Sequence, residues 1–240
     1  MRKIEFREAI REAMQEEMRK DPLLYLMGYD VGEYGGEFRV SQGMFKEFGP
    51  RRVQDTPINE NGEIGLAVGA AITGCRAIVE IPFMDFMPMA MDAIVNQAAK
   101  FNYTFAGQRS VPIVIRTAMG GFIRAAEQHS QCFENWFVHV PGLKVVIPST
   151  GYDAKGLLKT AINDPNPVIF IEHKFMYPMK SEVPEEEYSI PFGSADIKKE
   201  GDQVTVIATS YMVHLSLNVA NKLEKEGISV EVVDPRSLVP

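Results

Sequence analysis

Val168-Ile169-Phe170-Ile171 is apolar at every position. A strand with one face in water alternates polar and apolar side chains, whereas a strand covered on both faces stays apolar throughout. Similar β-branched runs recur at residues 23–27, 77–81, 111–115, 143–147, 204–208 and 229–233. Between them lie patterns of helical period, at 5–20, 62–73, 88–105, 152–162 and 212–226. In the first of these Phe6, Ile10, Ala13, Met14 and Met18 share one stripe, with Glu and Arg elsewhere. This alternation predicts an α/β fold, a doubly wound parallel sheet with helices on both faces.

A chain of 240 residues admits one large domain, or one domain and part of a second. A core of that size needs no disulfide or metal staple. With 32 acidic against 25 basic residues the net charge is −7, which disfavours nucleic acid or an anionic membrane as the main partner. No apolar run approaches the ~18–20 residues that span a bilayer. Arg2, Lys3, Glu5 and Arg7 lead into an amphipathic segment, so no signal peptide is expected. Cys75 and Cys132 are not in CxxC spacing, and reduced thiols in a cytoplasmic protein are expected.

Composition breaks at 178–203, where three prolines and the acidic run Glu185-Glu186-Glu187 suggest a surface linker. Beyond it, strand, helix and strand over 204–240 are too short to bury a core of their own. The expected organisation is a domain over 1–180, a linker over 181–203, and an incomplete second domain or an extension of the first over 204–240.

In an open parallel sheet, ligands bind beyond the carboxyl ends of the strands. Three loops there merit weighing: 55–65, 83–88 and 117–131. The first places Asn59-Glu60-Asn61 where a helix should begin. The acids there are either a solvated helix cap or, for Glu60, a buried carboxylate of raised pKa sharing a proton with a ligand nitrogen. Pattern alone leaves both open. The second carries four methionines and two phenylalanines within 83–91. Such a stripe suits core or subunit interface, although an aromatic at a loop tip can stack on a planar ring. The third has Gly120-Gly121 and then Gln128-His129-Ser130-Gln131. It lacks both GxGxxG and the Walker lysine, and His129 is balanced between a structural and a proton-transferring role. No GxSxG elbow makes Ser130 a nucleophile. His139, His173 and His214 lack metal spacing, so no zinc site is assigned.

Five motifs, in order along essentially the whole chain, carry a resemblance. They are Asp30-Val31-Gly32-Glu33-Tyr34-Gly35-Gly36, Asp55-Thr56-Pro57-Ile58-x-Glu60, Gln128-His129-Ser130-Gln131, Pro141-Gly142-Leu143-Lys144-Val145-Val146 and Asp234-Pro235-Arg236. Together they make the chain resemble the beta subunit of thiamine-diphosphate-dependent 2-oxoacid dehydrogenases, the group of the pyruvate, branched-chain and acetoin enzymes. The resemblance implies a pyrimidine-binding domain over 1–180 and the start of a transketolase C-terminal-like domain over 204–240. It makes Glu60 the glutamate on the aminopyrimidine nitrogen and Phe86 the ring packed on the pyrimidine. It makes His129 the histidine of proton and acyl transfer to lipoamide. Some members hold potassium on carbonyls that would here be those of Ile113, Ala161, Asp164 and Asn166.

No Gly-Asp-Gly occurs in the sequence. By the resemblance, the diphosphate and its magnesium would be held by an alpha subunit carrying that motif. An α2β2 heterotetramer with a second beta subunit and a lipoyl acyltransferase partner is then implied, acting on a 2-oxoacid or acetoin. Three positions depart from the family pattern: Glu127 beside His129, Glu63 near Glu60, and Met89. Relatives are longer, so the chain is expected to end part-way into its second domain. A split transketolase-like enzyme and a truncated, non-catalytic binding or assembly module are the alternatives.

Overall fold

The computed structural model describes residues 1–121 and 123–240. Its elements are, in chain order, β1 (Arg2–Glu5), α1 (Phe6–Lys20), β2 (Leu24–Gly28), α2 (Met44–Phe48), β3 (Val53–Asp55), α3 (Glu60–Ile72) and β4 (Arg76–Ile81). There follow α4 (Phe101–Thr104), β5 (Ile113–Met119), α5 (Glu134–Val138), β6 (Lys144–Val146), α6 (Gly151–Asn163) and β7 (Val168–His173). The chain continues through β8 (Lys180–Val183), β9 (Asp196–Lys199), β10 (Val204–Ile207), α7 (Tyr211–Leu223), β11 (Val230–Asp234) and β12 (Ser237–Val239).

The main sheet runs in the order β12-β6-β7-β5-β4-β2-β3. Its neighbours are parallel except β12, which is antiparallel to β6. Every residue of β5 and β7 is buried, because both faces are covered. On one face α1 and α6 bring Ile10, Met14 and Leu157 against Phe170. On the other, Ile64 of α3 and Phe137 of α5 share a core with Ile169 and Ile171. The unbroken apolar run at 168–171 thus feeds two cores in alternation.

Three expectations change. The single helix expected over 88–105 is broken into a 3₁₀ turn (Met84–Ala90), a π turn (Asp92–Ala98) and α4. Pro88 lies inside the first piece and has no N–H to donate to an α-helical ladder. The stretch 181–203 holds strands as well as connection: β8 pairs antiparallel with β1, and β9 with β11. Region 204–240 also divides. β10, β11 and α7 close a small core of Val213, Ala220, Val230 and Val232 with β9, whereas β12 returns to the edge of the main sheet.

One charged group sits at the centre of the main sheet. Arg116 on β5 is 1% exposed and donates two hydrogen bonds to Glu172 on β7, at 2.7 and 2.8 Å, and one to Glu80 on β4 at 2.5 Å. The Tyr177 hydroxyl donates to the same Glu172 carboxylate at 2.7 Å. Buried charges persist only when paired and hydrogen-bonded in this way. Cys75 and Cys132 are free thiols. No helix among the described residues is long and apolar enough to cross a membrane.

Candidate active site

Strands β3, β2, β4, β5 and β7 are neighbours and parallel, so the loops leaving their carboxyl ends gather on one side of the sheet. Glu60 opens α3 in the loop after β3, Phe86 follows β4, and His129 follows β5. The α3 segment packs against the 3₁₀ turn that carries Phe86.

The helix cap belongs to Asn59, whose side chain accepts from the Gly62 N–H at 2.9 Å. Glu60 is therefore free of the capping role and is only 7% exposed, against the solvated-cap alternative. Its place in the first turn puts a carboxylate at the positive end of the helix dipole. Glu63, one turn on, is 3% exposed. It accepts a hydrogen bond from the Thr56 hydroxyl on Oε1, while Oε2 is buried without a partner among the described residues. Burial pushes the Glu63 carboxyl up to about 7; the Thr56 hydrogen bond opposes this and the charge of Glu60 adds to it. The Tyr29 phenol is raised mainly by burial and further by Glu60 and Glu63, and its buried hydroxyl makes no well-aligned hydrogen bond among the described residues.

The second wall is aromatic. His129 ends a 3₁₀ turn, Glu127–His129, and its ring stands edge-on to Phe83 at 4.6 Å and to Phe86 at 5.2 Å between centroids. Its Nδ1 is buried and has no hydrogen-bond partner among the described residues. Asp85 ties this loop to the 3₁₀ turn: Oδ1 accepts from both the main-chain N–H and the side-chain amide of Gln131, each at 3.0 Å. Of the departures, Glu63 is buried against Thr56 and within electrostatic reach of Glu60, whereas Glu127 is exposed and Met89 is 68% exposed.

The residues implied for potassium lie away from that wall, at the opposite ends of the strands. Ile113 opens β5, and Asn166 precedes β7 just after α6. The Ala161 carbonyl accepts from the Asp164 N–H at 3.2 Å, and the Asp164 carboxylate takes the Asn166 N–H at 2.9 Å and the Lys144 ammonium.

Tyr29, Asp85 and Lys174 carry no motif signal of their own in the sequence, and Thr56 enters only as part of the Asp55–Glu60 motif. Asp85 lies inside the flagged aromatic loop, and Lys174 immediately follows the carboxyl end of β7, so strand-end position was the available signal. The gathered residues combine buried carboxylates with an aromatic wall at the carboxyl ends of the strands. Glu63, Tyr29 and His129 each carry a buried polar atom without a hydrogen-bond partner among the described residues, and the His129 ring meets the Phe83–Phe86 pair, a combination of chemistry that suits a planar nitrogen heterocycle.

Residues 2–180 match the transketolase pyrimidine-binding domain and residues 193–240 the transketolase C-terminal domain. The beta subunit of 2-oxoisovalerate dehydrogenase from Bacillus subtilis (strain 168) is 47% identical over 97% of this chain and 72% of its own length. The chain belongs to the transketolase-type family of dehydrogenase beta subunits. Another member, the beta subunit of acetoin:2,6-dichlorophenolindophenol oxidoreductase from the same bacterium, is 48% identical over 100% of the chain and 73% of its own. The rice pyruvate dehydrogenase E1 component subunit beta-2, mitochondrial, is 49% identical over 98% of the chain, which spans 63% of that relative's length. Among solved structures, a split gene transketolase described as an inactive beta4 tetramer superposes with a TM-score of 0.77 at 23% identity, covering 96% of this chain and 71% of that one. That likeness supports the α/β fold read from the strand pattern.

Proposed function

We propose that this chain is the beta subunit of a thiamine-diphosphate-dependent 2-oxoacid or acetoin dehydrogenase and contributes the pyrimidine half of each active site. The observation that carries the reading is Glu60: a buried carboxylate at the start of α3, packed beside the turn that presents Phe86 to His129. Bound thiamine diphosphate would supply a carbanion able to attack the substrate's carbonyl carbon. Glu60 would hold the aminopyrimidine ring nitrogen and share a proton with it at its carboxylate. Phe86 would pack on the ring face. His129, whose Nδ1 has no hydrogen-bond partner among the described residues, would carry protons for the substrate and for acyl transfer to lipoamide.

The sequence holds no Gly-Asp-Gly, so the diphosphate and magnesium fall to an alpha subunit that carries it. An α2β2 assembly with a second beta subunit, a lipoyl acyltransferase as acyl acceptor and a cytoplasmic setting belong to the same reading. So does potassium on the carbonyls of Ile113, Ala161, Asp164 and Asn166, where each carbonyl has a second lone pair to offer.

The test is reconstitution with a Gly-Asp-Gly-bearing alpha subunit, thiamine diphosphate and magnesium. Reductive acylation of lipoamide is then assayed with pyruvate, branched-chain 2-oxoacids and acetoin separately. Turnover with one of these is the expected result. Ketol transfer between sugar phosphates without lipoamide would favour the split transketolase instead, and a complex that forms but turns over none of them would favour an assembly module.

A further inference from the structure

We propose that Lys174 is the positioning residue for His129, holding the active-site loop through the main-chain carbonyls at its two ends. The inference rests on the role proposed for His129 above. Lys174 follows β7 directly and is 3% exposed. Its ammonium donates to the carbonyl oxygen of Gly120 at 3.0 Å and to that of His129 itself at 3.0 Å. An ammonium has three donors and no acceptor, so a buried one needs several oxygens around it. The remaining side faces the Asp85 carboxylate at 4.0 Å and the ring of Phe83 at 5.4 Å. Asp85 in turn holds Gln131 by two hydrogen bonds, and Phe83 meets the His129 ring edge-on. Lys174 and Asp85 therefore grip the loop at Gly120, His129 and Gln131.

The loop needs such a grip. Arg124 and Ala126 adopt φ of +58° and +61°, conformations that non-glycine residues keep only when surrounding contacts impose them. Gly120 has φ of +88°, and a Cβ there would come within 2.2 Å of His173 Nε2. The strand end is thus fitted to one path, and Lys174 is the side chain that ties that path to both ends of the turn-bearing segment.

The test uses Lys174→Met and the double variant Lys174→Met/Asp85→Asn, which removes the orphaned negative charge but keeps an acceptor for Gln131. Each is reconstituted with the alpha subunit beside the wild type and His129→Ala. Two measurements are made: amide hydrogen exchange across 120–131 against the rest of the chain, and kcat and KM for the 2-oxoacid or acetoin. The expected result is faster exchange confined to 120–131 in both Lys174 variants. Their kcat should fall about 100-fold, the scale of a ~1 Å misplacement, with KM little changed. Wild-type exchange across 120–131, or wild-type kcat, in the double variant would overturn the proposal. His129→Ala separates the two claims: full turnover in that variant would defeat the role given to His129, whereas lost turnover there with an unaffected Lys174→Met would defeat only the positioning role. Should the wild-type complex prove inactive, the exchange measurement still decides whether Lys174 holds the loop.

Discussion

Thr56 donates its hydroxyl hydrogen bond to one oxygen of Glu63, and the other oxygen of that buried acid has no partner among the described residues. A carboxyl raised from 4.5 to about 7 binds its proton more tightly in the folded chain than in the unfolded one. Its contribution is complete below the unfolded pKa, declines as pH rises toward 7, and is constant above that. Replacing it by a neutral isostere removes the penalty of the charged form.

Glu63→Gln is therefore expected to be nearly neutral at pH 4 and to stabilise the chain at pH 8 by on the order of 2 kcal/mol. Denaturant unfolding of the two proteins across that range measures it. A stability difference that does not change with pH would contradict the assignment of the raised pKa to Glu63.

Arg116 poses the opposite case. Removing it in Arg116→Met leaves Glu172 and Glu80 buried without their cation. The expected loss is about 3–5 kcal/mol, because an uncompensated buried charge costs more than the ion pair contributes. Denaturant unfolding at pH 7 reads it out, and a loss below ~1 kcal/mol would mean that the network rearranges around water.

Asn59→Ala removes the cap of the helix that begins with Glu60. Stability should fall by about 1 kcal/mol. Because the first turn then frays, the affinity of the reconstituted complex for thiamine diphosphate should fall as well, measured by calorimetric titration. Lost stability with unchanged affinity would show that the cap does not help to place Glu60.

The legible parts of the fold were those whose residues answer to two cores at once. The run at 168–171 and the apolar start of the neighbouring strand, Ile113-Val114-Ile115, are buried on both faces, and this shows without a structure. β1 and β8 were not legible: Arg2-Lys3-Ile4-Glu5 and Lys180-Ser181-Glu182-Val183 are short, charged and define each other only by pairing. Three-residue β12 has no period to read, and its place at the edge of the main sheet comes from tertiary contact with β6. The methionine-rich stretch carries helical period, but Pro88 and the mixed 3₁₀ and π turns override it. At the candidate site, strand-end position pointed to the loops of Glu60, Phe86 and His129. Lys174 and Asp85 are not legible because their partners, main-chain carbonyls for Lys174 and Gln131 for Asp85, lie far along the chain, which no local spacing records.

Glu60 is where the half-site reading is most exposed to test. The measurement is 2-oxoacid- or acetoin-dependent turnover by the reconstituted, thiamine-diphosphate- and magnesium-loaded complex, wild type against Glu60→Gln, with both shown to assemble equally by size-exclusion chromatography. A fall of about 10²–10⁴-fold is the expected result, the scale of a lost proton-transfer partner. Undiminished turnover by an assembled, cofactor-loaded Glu60→Gln complex would contradict it.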